Sequence, residues 1–281
     1  MEGRIGVAGA GQMGNGIAHV FAVAGYEVRL YDIAQSQLDR GMATIAKNLE
    51  RQSKKGGLDP LLIPTILGRI TGTLELRDLS DVDIAIEAAV ENEALKLDLF
   101  RRLDGIVEAG TILASNTSSI PITKIASATK RPDKVIGMHF MNPVPVMTLV
   151  EVIRGHSTSE QTFAYVRDLV TRLGKESAVS EDYPGFIANR ILMPMLNEAI
   201  FALHEGVAKA EDIDKAMKLG TNQPMGPLTL ADFIGLDTVL AILRVMHEGF
   251  GDPKFRPCPL LVKMVNAGHL GRKSGRGFYR Y

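Results

Sequence analysis

The sequence predicts an α/β protein in which a doubly wound sheet is followed by an all-α domain, and two observations support this prediction. Short apolar runs alternate with segments of helical periodicity over the first part of the chain, which is typical of parallel strands joined by crossover helices. After Tyr183 the strand signals fade and helical periodicity remains. We therefore expect one domain over residues 1–183 and a second over residues 184–281.

The first domain opens with a strand, a tight turn and a helix. The apolar run Ile5–Ala8 is followed by a glycine-rich turn, by helical periodicity over Ile17–Ala24 and by a second strand at Glu27–Tyr31. Residues Gln35–Ile70 have the pattern of two amphipathic helices broken near Gly56, which predicts a helical-hairpin insertion. Further candidate strands cover 82–88, 111–115, 135–140 and 149–153, and candidate helices cover 92–107 and 160–173. In the second domain, helical periodicity covers 186–204, 210–219, 228–248 and 259–267.

Composition excludes several classes of function. Lys+Arg and Asp+Glu number 32 each among 281 residues, so no overall positive field directs the protein to nucleic acid. No apolar window has the roughly 18 residues of a membrane span, and no secretory signal pattern is visible. The single cysteine, Cys258, can form neither an internal disulfide nor a thiolate metal site alone, and the histidines lack ligand spacing. We expect a cytoplasmic protein with no metal and with neither nucleic-acid nor membrane partners.

A glycine-rich motif predicts a dinucleotide site. Gly9, Gly11 and Gly14 form G-x-G-x-x-G, with Gln12 and Met13 between the last two glycines, where a strand ends and a helix opens. Backbone N–H groups and the helix dipole at such a turn bind a pyrophosphate, which favours a sheet of the Rossmann type. A glycine-rich turn in some other α/β fold is the alternative interpretation.

An acidic residue at the end of the second strand predicts which dinucleotide binds. Asp32 stands where a carboxylate accepts hydrogen bonds from the hydroxyls of the adenosine ribose. The same charge would repel the 2′-phosphate of NADP. The sequence therefore predicts NAD as the cofactor.

His139 is a candidate catalytic residue. It ends a predicted strand, at the edge of the sheet where α/β proteins bind ligands. Oxidation of a secondary alcohol by hydride loss needs a base for the hydroxyl proton, and imidazole suits this task because it titrates near neutral pH. A histidine satisfied within the core is the alternative interpretation.

Six motifs, in order along almost the whole chain, resemble those of the (S)-3-hydroxyacyl-CoA dehydrogenases. They are Ala114–Ser119, His139–Val144, Leu149–Val152, Pro184–Arg190, Met225–Pro227 and Gly271–Tyr279. The length is similar to that of the stand-alone bacterial 3-hydroxybutyryl-CoA dehydrogenases. The resemblance implies hydride transfer between NAD and a short-chain acyl-CoA substrate, interconverting (S)-3-hydroxybutyryl-CoA and acetoacetyl-CoA.

The resemblance also implies roles for individual residues. His139 would be the general base in oxidation and the general acid in reduction, with Glu151 as the carboxylate that fixes its tautomer. Ser118 would hydrogen-bond the substrate oxygen near the nicotinamide, and Asn189 would orient the substrate. Further residues match family positions that contact the cofactor, namely Glu91, Lys96, Asn142 and Lys273.

In this family the helical hairpin meets the CoA moiety and the helical domain forms a homodimer. Arg51, Lys54 and Lys55 at the end of the first hairpin helix could therefore pair with CoA phosphates. A solvated helix end is the alternative for this cationic cluster. The resemblance implies a homodimer in the same way.

Two other functions compete with this interpretation. Another two-domain oxidoreductase, of the β-hydroxyacid dehydrogenase kind, would use a catalytic lysine where this chain has Asn189. A lens crystallin resembles the same family, so a structural protein without activity is the non-enzymatic alternative. The presence of Ser118, His139, Glu151 and Asn189 together favours the enzyme.

Overall fold

A computed structural model describes residues 3–281. These residues form two compact units, the first ending at Tyr183 and the second spanning Pro184–Tyr281. The first unit is an α/β sheet and the second is helical, which confirms the predicted fold class. No helix in the described part of the chain is long and apolar enough to cross a membrane.

The first unit is built on one eight-stranded sheet of order β3-β2-β1-β4-β5-β6-β7-β8. The strands are β1 Arg4–Ala8, β2 Glu27–Tyr31, β3 Ile70–Thr73, β4 Ile84–Glu87, β5 Ile112–Ser115, β6 Val135–Phe140, β7 Leu149–Arg154 and β8 Glu176–Glu181. Strands β1 to β6 pair in parallel, β7 is antiparallel to β6, and β8 is parallel to β7. The carboxyl ends of β1, β4, β5 and β6 therefore lie side by side at one edge.

Helices cover this sheet because its central strands are apolar on both faces. Ile84 and Ala85 of β4 point to opposite faces, as do Leu113 and Ala114 of β5, and all four are fully buried, as in parallel sheets with helices on each side. The helices of the first unit are α1 Gln12–Val23, α2 Gln35–Lys54, α3 Ile63–Gly68, α4 Glu93–Asp104, α5 Ile122–Ala126 and α6 Glu160–Arg172.

The second unit packs five helices around its own apolar core. They are α7 Ala188–His204, α8 Ala210–Gly220, α9 Pro227–Ile234, α10 Leu236–Phe250 and α11 Pro259–Asn266. Two buried carboxylates organise its C-terminal tail: Asp214 accepts from Leu228 N and from Tyr279 Oη, and Asp232 accepts from Phe278 N and Tyr281 Oη. Burial and the Asp232 carboxylate raise the pKa of Tyr281 to about 12, so this phenol remains a hydrogen-bond donor at neutral pH.

The structure corrects five details of the predicted elements. The segment Gln35–Ile70 is not helical to its end, because Ile70 begins β3, and the second arm of the hairpin is only the short α3. The polar edge strand β8 and the short helix α5 have no counterpart in the prediction. The predicted single helix over 228–248 is two helices, since Gly235 has a φ of 102° and breaks the helical backbone.

Candidate active site

The glycine motif forms the turn between β1 and α1, and its geometry fits a dinucleotide. Gly9 has a φ of 113°, and a Cβ there would lie 2.6 Å from the carbonyl oxygen of Ala88. A Cβ at Gly14 would lie 1.7 Å from the carbonyl oxygen of Gly9, so only glycine lets α1 pack this closely on the turn. At Gly11 a Cβ would meet no atom within 4 Å, which leaves its backbone open to a phosphate. Gln12 and Met13 begin the helix.

Asp32 follows β2 beside this turn. One carboxylate oxygen accepts from the backbone N–H of Ala10 at 2.8 Å, and the other accepts from the N–H of Ala34 at 3.1 Å. These bonds fix the carboxylate next to the glycine turn, where lone pairs remain for the hydroxyls of a ribose.

The imidazole of His139 is paired with a buried carboxylate. His139 on β6 lies directly opposite Glu151 on the antiparallel β7, so the two side chains stand on the same face of the sheet. His139 Nδ1 lies 2.7 Å from Glu151 Oε2, and the two side chains are 12% and 1% exposed. A carboxylate can only accept here, so neutral imidazole carries its proton on Nδ1, and Nε2 is its basic nitrogen.

Two carboxylates share one buried ammonium at the carboxyl ends of β4 and β5. Lys96 Nζ lies 2.5 Å from Glu87 Oε1 and 3.2 Å from Glu91 Oε2. The side chains of Lys96 and Glu87 are 1% and 0% exposed, and that of Glu91 is 38% exposed. Burial alone would raise the pKa of Glu91, but Lys96 and hydrogen bonds from the loop after β5 outweigh burial and hold that pKa below its ordinary value of 4.5.

Glu91 also holds the loop that contains Ser118. Its Oε1 accepts from Thr117 Oγ1 at 2.7 Å, from Ser118 N at 2.9 Å, from Ser118 Oγ at 3.2 Å and from Ser119 Oγ at 2.8 Å. Asn116 at the start of this loop accepts from the N–H of Phe140 at 2.9 Å, which connects the loop to the residue after His139. The loop is thus fixed between the Lys96 network and strand β6.

The other expected site residues lie in three places. Asn142 Oδ1 accepts from Gln12 Nε2 at 3.2 Å, which brings the loop after β6 to the glycine turn. Arg51 and Lys54 are exposed at the end of α2. In the second unit, Asn189 is buried in the first turn of α7, and Lys273 Nζ forms an ion pair with Asp237 at 2.6 Å.

Within the first unit, the structure therefore brings together most of the residues that sequence reasoning singled out. The glycine turn, Asp32, Ser118 and the His139–Glu151 pair lie along one edge of the sheet, where α/β proteins bind ligands. In the described residues, no group of three or more His, Cys, Asp or Glu side chains could hold a metal ion.

Comparison with known proteins identifies the family. The family model described as 3-hydroxyacyl-CoA dehydrogenase, NAD binding domain, matches residues 4–183, and the model of the C-terminal domain of the same enzymes matches residues 185–281. The chain belongs to the 3-hydroxyacyl-CoA dehydrogenase family.

Individual relatives match this family member over nearly their whole length. A probable 3-hydroxybutyryl-CoA dehydrogenase of Deinococcus radiodurans is 58% identical, covering 99% of this chain and 100% of the relative. A 3-hydroxybutyryl-CoA dehydrogenase of Bradyrhizobium diazoefficiens is 56% identical, covering 99% and 95%. The crystal structure of (S)-3-hydroxybutyryl-CoA dehydrogenase from Ralstonia eutropha has a TM-score of 0.97 at 52% identity, covering 99% of this chain and 98% of that chain.

Sequence reasoning missed Glu87 and Ser115, which complete the buried network of this dehydrogenase. Ser115 Oγ donates to Glu87 Oε2 at 2.6 Å and accepts from the N–H of Thr117 at 3.1 Å. One signal was available: Glu87 is an acidic residue at the end of the apolar strand Ile84–Glu87, and a buried charge needs a partner.

Proposed function

We propose that this dehydrogenase interconverts (S)-3-hydroxybutyryl-CoA and acetoacetyl-CoA, with NAD accepting or donating the hydride. The observation that supports this proposal most directly is the His139–Glu151 pair at the same sheet edge as the glycine turn. The named relatives are 3-hydroxybutyryl-CoA dehydrogenases, and their close similarity to this chain supports the short-chain substrate.

In the oxidation direction, His139 Nε2 takes the proton of the substrate hydroxyl as the C3–H hydride leaves. NAD, when bound, supplies the hydride acceptor. Glu151 stabilises the imidazolium that forms, because its carboxylate lies 2.7 Å from Nδ1. In the reduction direction the imidazolium returns this proton to the alkoxide oxygen as the hydride arrives at C3.

Other residues of the chain bind and orient the reactants in this proposal. Ser118 hydrogen-bonds the substrate oxygen, and Asn189 orients the acyl group. Asp32 accepts from the adenosine ribose, and Arg51 and Lys54 pair with the CoA phosphates. The proposed contacts to the rest of the cofactor come from Gly9, Gly11, Gln12, Met13, Gly14, Glu91, Lys96, Ser118, Asn142 and Lys273.

We further propose a cytoplasmic homodimer formed through the second unit. Several large apolar side chains of this unit are exposed, including Val207 at 73%, Leu219 at 80% and Phe233 at 57%. Exposed apolar surface of this kind supports an interface with a second copy of the chain. Light scattering of the purified chain tests this part, and a monomer at micromolar concentration would contradict it.

The activity is tested by initial rates of NADH or NADPH oxidation with 3-ketoacyl-CoA substrates of increasing chain length. We expect turnover with NADH and acetoacetyl-CoA, and decreasing kcat/KM as the acyl chain grows. A preference for long chains would overturn the short-chain assignment. No NADH consumption with any 3-ketoacyl-CoA would favour the structural, crystallin-like role instead.

A further inference from the structure

The buried network around Lys96 lies between the two ends of the site. In the sheet, β4 and β5 are the strands between β1, which leads into the glycine turn, and β6, which bears His139. A dinucleotide with its pyrophosphate on that turn and its reacting ring near the imidazole must cross the carboxyl ends of β4 and β5. Adjacent strands are about 4.8 Å apart, so this crossing spans about 14 Å.

Backbone contacts confirm that the network adjoins both ends. The carbonyl of Ala88 packs against Gly9 of the turn, and Ala89 donates its N–H to Glu87 at 2.7 Å while its carbonyl lies 3.3 Å from Lys96 Nζ. On the other side, Glu91 holds Ser118. A charge in this network therefore acts on whatever part of the cofactor lies between the turn and Ser118.

The network has an excess of one negative charge. All three hydrogen-bond partners of Glu87 are donors, namely Ala89 N, Lys96 Nζ and Ser115 Oγ, as an ionised carboxylate requires. Glu91 is also an acceptor throughout. Two carboxylates and one ammonium leave a net charge of −1 in a region where Lys96 and Glu87 have almost no contact with water, so solvent screens it poorly.

We infer that Glu87 is a positioning residue that makes the site favour one redox state of the cofactor. Its buried carboxylate fixes Lys96 and gives this part of the site a negative charge. This charge favours the cationic, oxidised nicotinamide over the neutral, reduced nicotinamide. The inference rests on the proposed NAD-dependent function, and it deepens that function by explaining why a buried lysine needs two carboxylates. Glu87 acts through Lys96 and through its charge, without contacting the substrate.

Equilibrium binding of the two forms of the cofactor tests this inference without turnover. NADH binding is measured by its fluorescence, and NAD⁺ binding is measured by displacement of NADH. The quantity compared is the ratio of the Kd of NAD⁺ to the Kd of NADH. A unit charge acting over about 10 Å through an effective dielectric constant of about 20 changes this ratio about 16-fold.

Glu87→Gln is the main variant, because an amide keeps the shape of the side chain and one oxygen acceptor for Ala89 N. We expect its ratio to rise about 16-fold, through weaker binding of NAD⁺. The double variant Glu87→Gln/Lys96→Met restores the net charge of −1 on Glu91, so its ratio should return toward that of the wild type. Loss of packing alone would move both variants in the same direction.

Two further variants support the comparison: one is a control for the acid-to-amide substitution, and the other removes the same charge at a different residue. Glu176→Gln makes the same substitution at an exposed position on the outer strand β8 and should leave both Kd values unchanged. If Glu87→Gln does not fold, Glu91→Gln removes the same charge at a side chain that is 38% exposed, and it should raise the ratio in the same direction.

The possible failures are distinguishable. A wild-type protein that binds neither NAD⁺ nor NADH would contradict the proposed function. A protein that binds both, with a ratio that Glu87→Gln changes by less than about 1.5-fold, would leave the function intact and overturn this inference. A return toward the wild-type ratio in the double variant is the result expected only from charge.

Discussion

Replacing Glu151 by glutamine should slow catalysis strongly while sparing cofactor binding. The carboxylate is 1% exposed and lies 2.7 Å from His139 Nδ1, so its interaction with a developing imidazolium is barely screened by water. Hydrogen bonds to charged groups contribute about 1.5–3 kcal/mol of net stabilising free energy, and hydrogen bonds between neutral groups contribute about 0.5–1.5 kcal/mol. The glutamine carbonyl can still accept from Nδ1–H and keep the ring in place, but it cannot neutralise the imidazolium.

The expected loss of transition-state stabilisation is about 2–3 kcal/mol once the lost Coulomb attraction is included. This corresponds to a decrease of about 30- to 150-fold in kcat/KM for acetoacetyl-CoA reduction. Steady-state rates give the decrease, and NADH fluorescence checks that the Kd of NADH is unchanged. The exposed acid-to-amide variant Glu181→Gln is the matched control. A decrease of less than about threefold in Glu151→Gln would refute the assigned role of this carboxylate.

Three further predictions follow from other contacts. Asp32→Ala should lower kcat/KM with NADH by about 10- to 100-fold, because it removes one hydrogen bond to a charged acceptor. It should also narrow the preference of the enzyme for NADH over NADPH. A wild-type enzyme that uses both cofactors equally would contradict the role assigned to Asp32. Asn189→Ala should impair acetoacetyl-CoA turnover and leave the Kd of NADH unchanged, and weaker NADH binding would argue against a role in orienting substrate. Glu91→Gln should lower the Tm at neutral pH, because a carboxyl group whose pKa is below 4.5 in the folded state stabilises that state above pH 4.5. This difference should shrink as the pH falls through the lowered pKa, and a difference in Tm that does not depend on pH would contradict it.

The elements with strong local patterns could be predicted from the sequence. The apolar runs at β1 and β6 and the glycines after β1 specify their structure through burial and backbone geometry alone. By contrast, β3 and β8 are edge strands with polar residues, and half-exposed strands lack an apolar run. Their pairing depends on neighbours that are distant in sequence.

The site residues likewise divide into those that a local sequence pattern predicts and those that depend on contacts between distant segments. His139 and Asp32 stand at strand ends, so topology alone predicts that they face a ligand. The antiparallel pairing that sets Glu151 opposite His139 is a tertiary feature, and the sequence suggested the pair only through resemblance. Glu87 and Ser115 were missed because the Ser115 hydroxyl meets the Glu87 carboxylate only when β4 and β5 pair.

Proton exchange at His139 is the central claim, and the His139→Gln variant tests it most directly. The measurement is kcat for acetoacetyl-CoA reduction with saturating NADH, together with the Kd of NADH for the same preparation. General acid–base catalysis contributes about 10²- to 10⁴-fold, so we predict a decrease in kcat of about 10²-fold or more with an unchanged Kd. A variant that retains near wild-type kcat would contradict the account and place the proton transfer on another group.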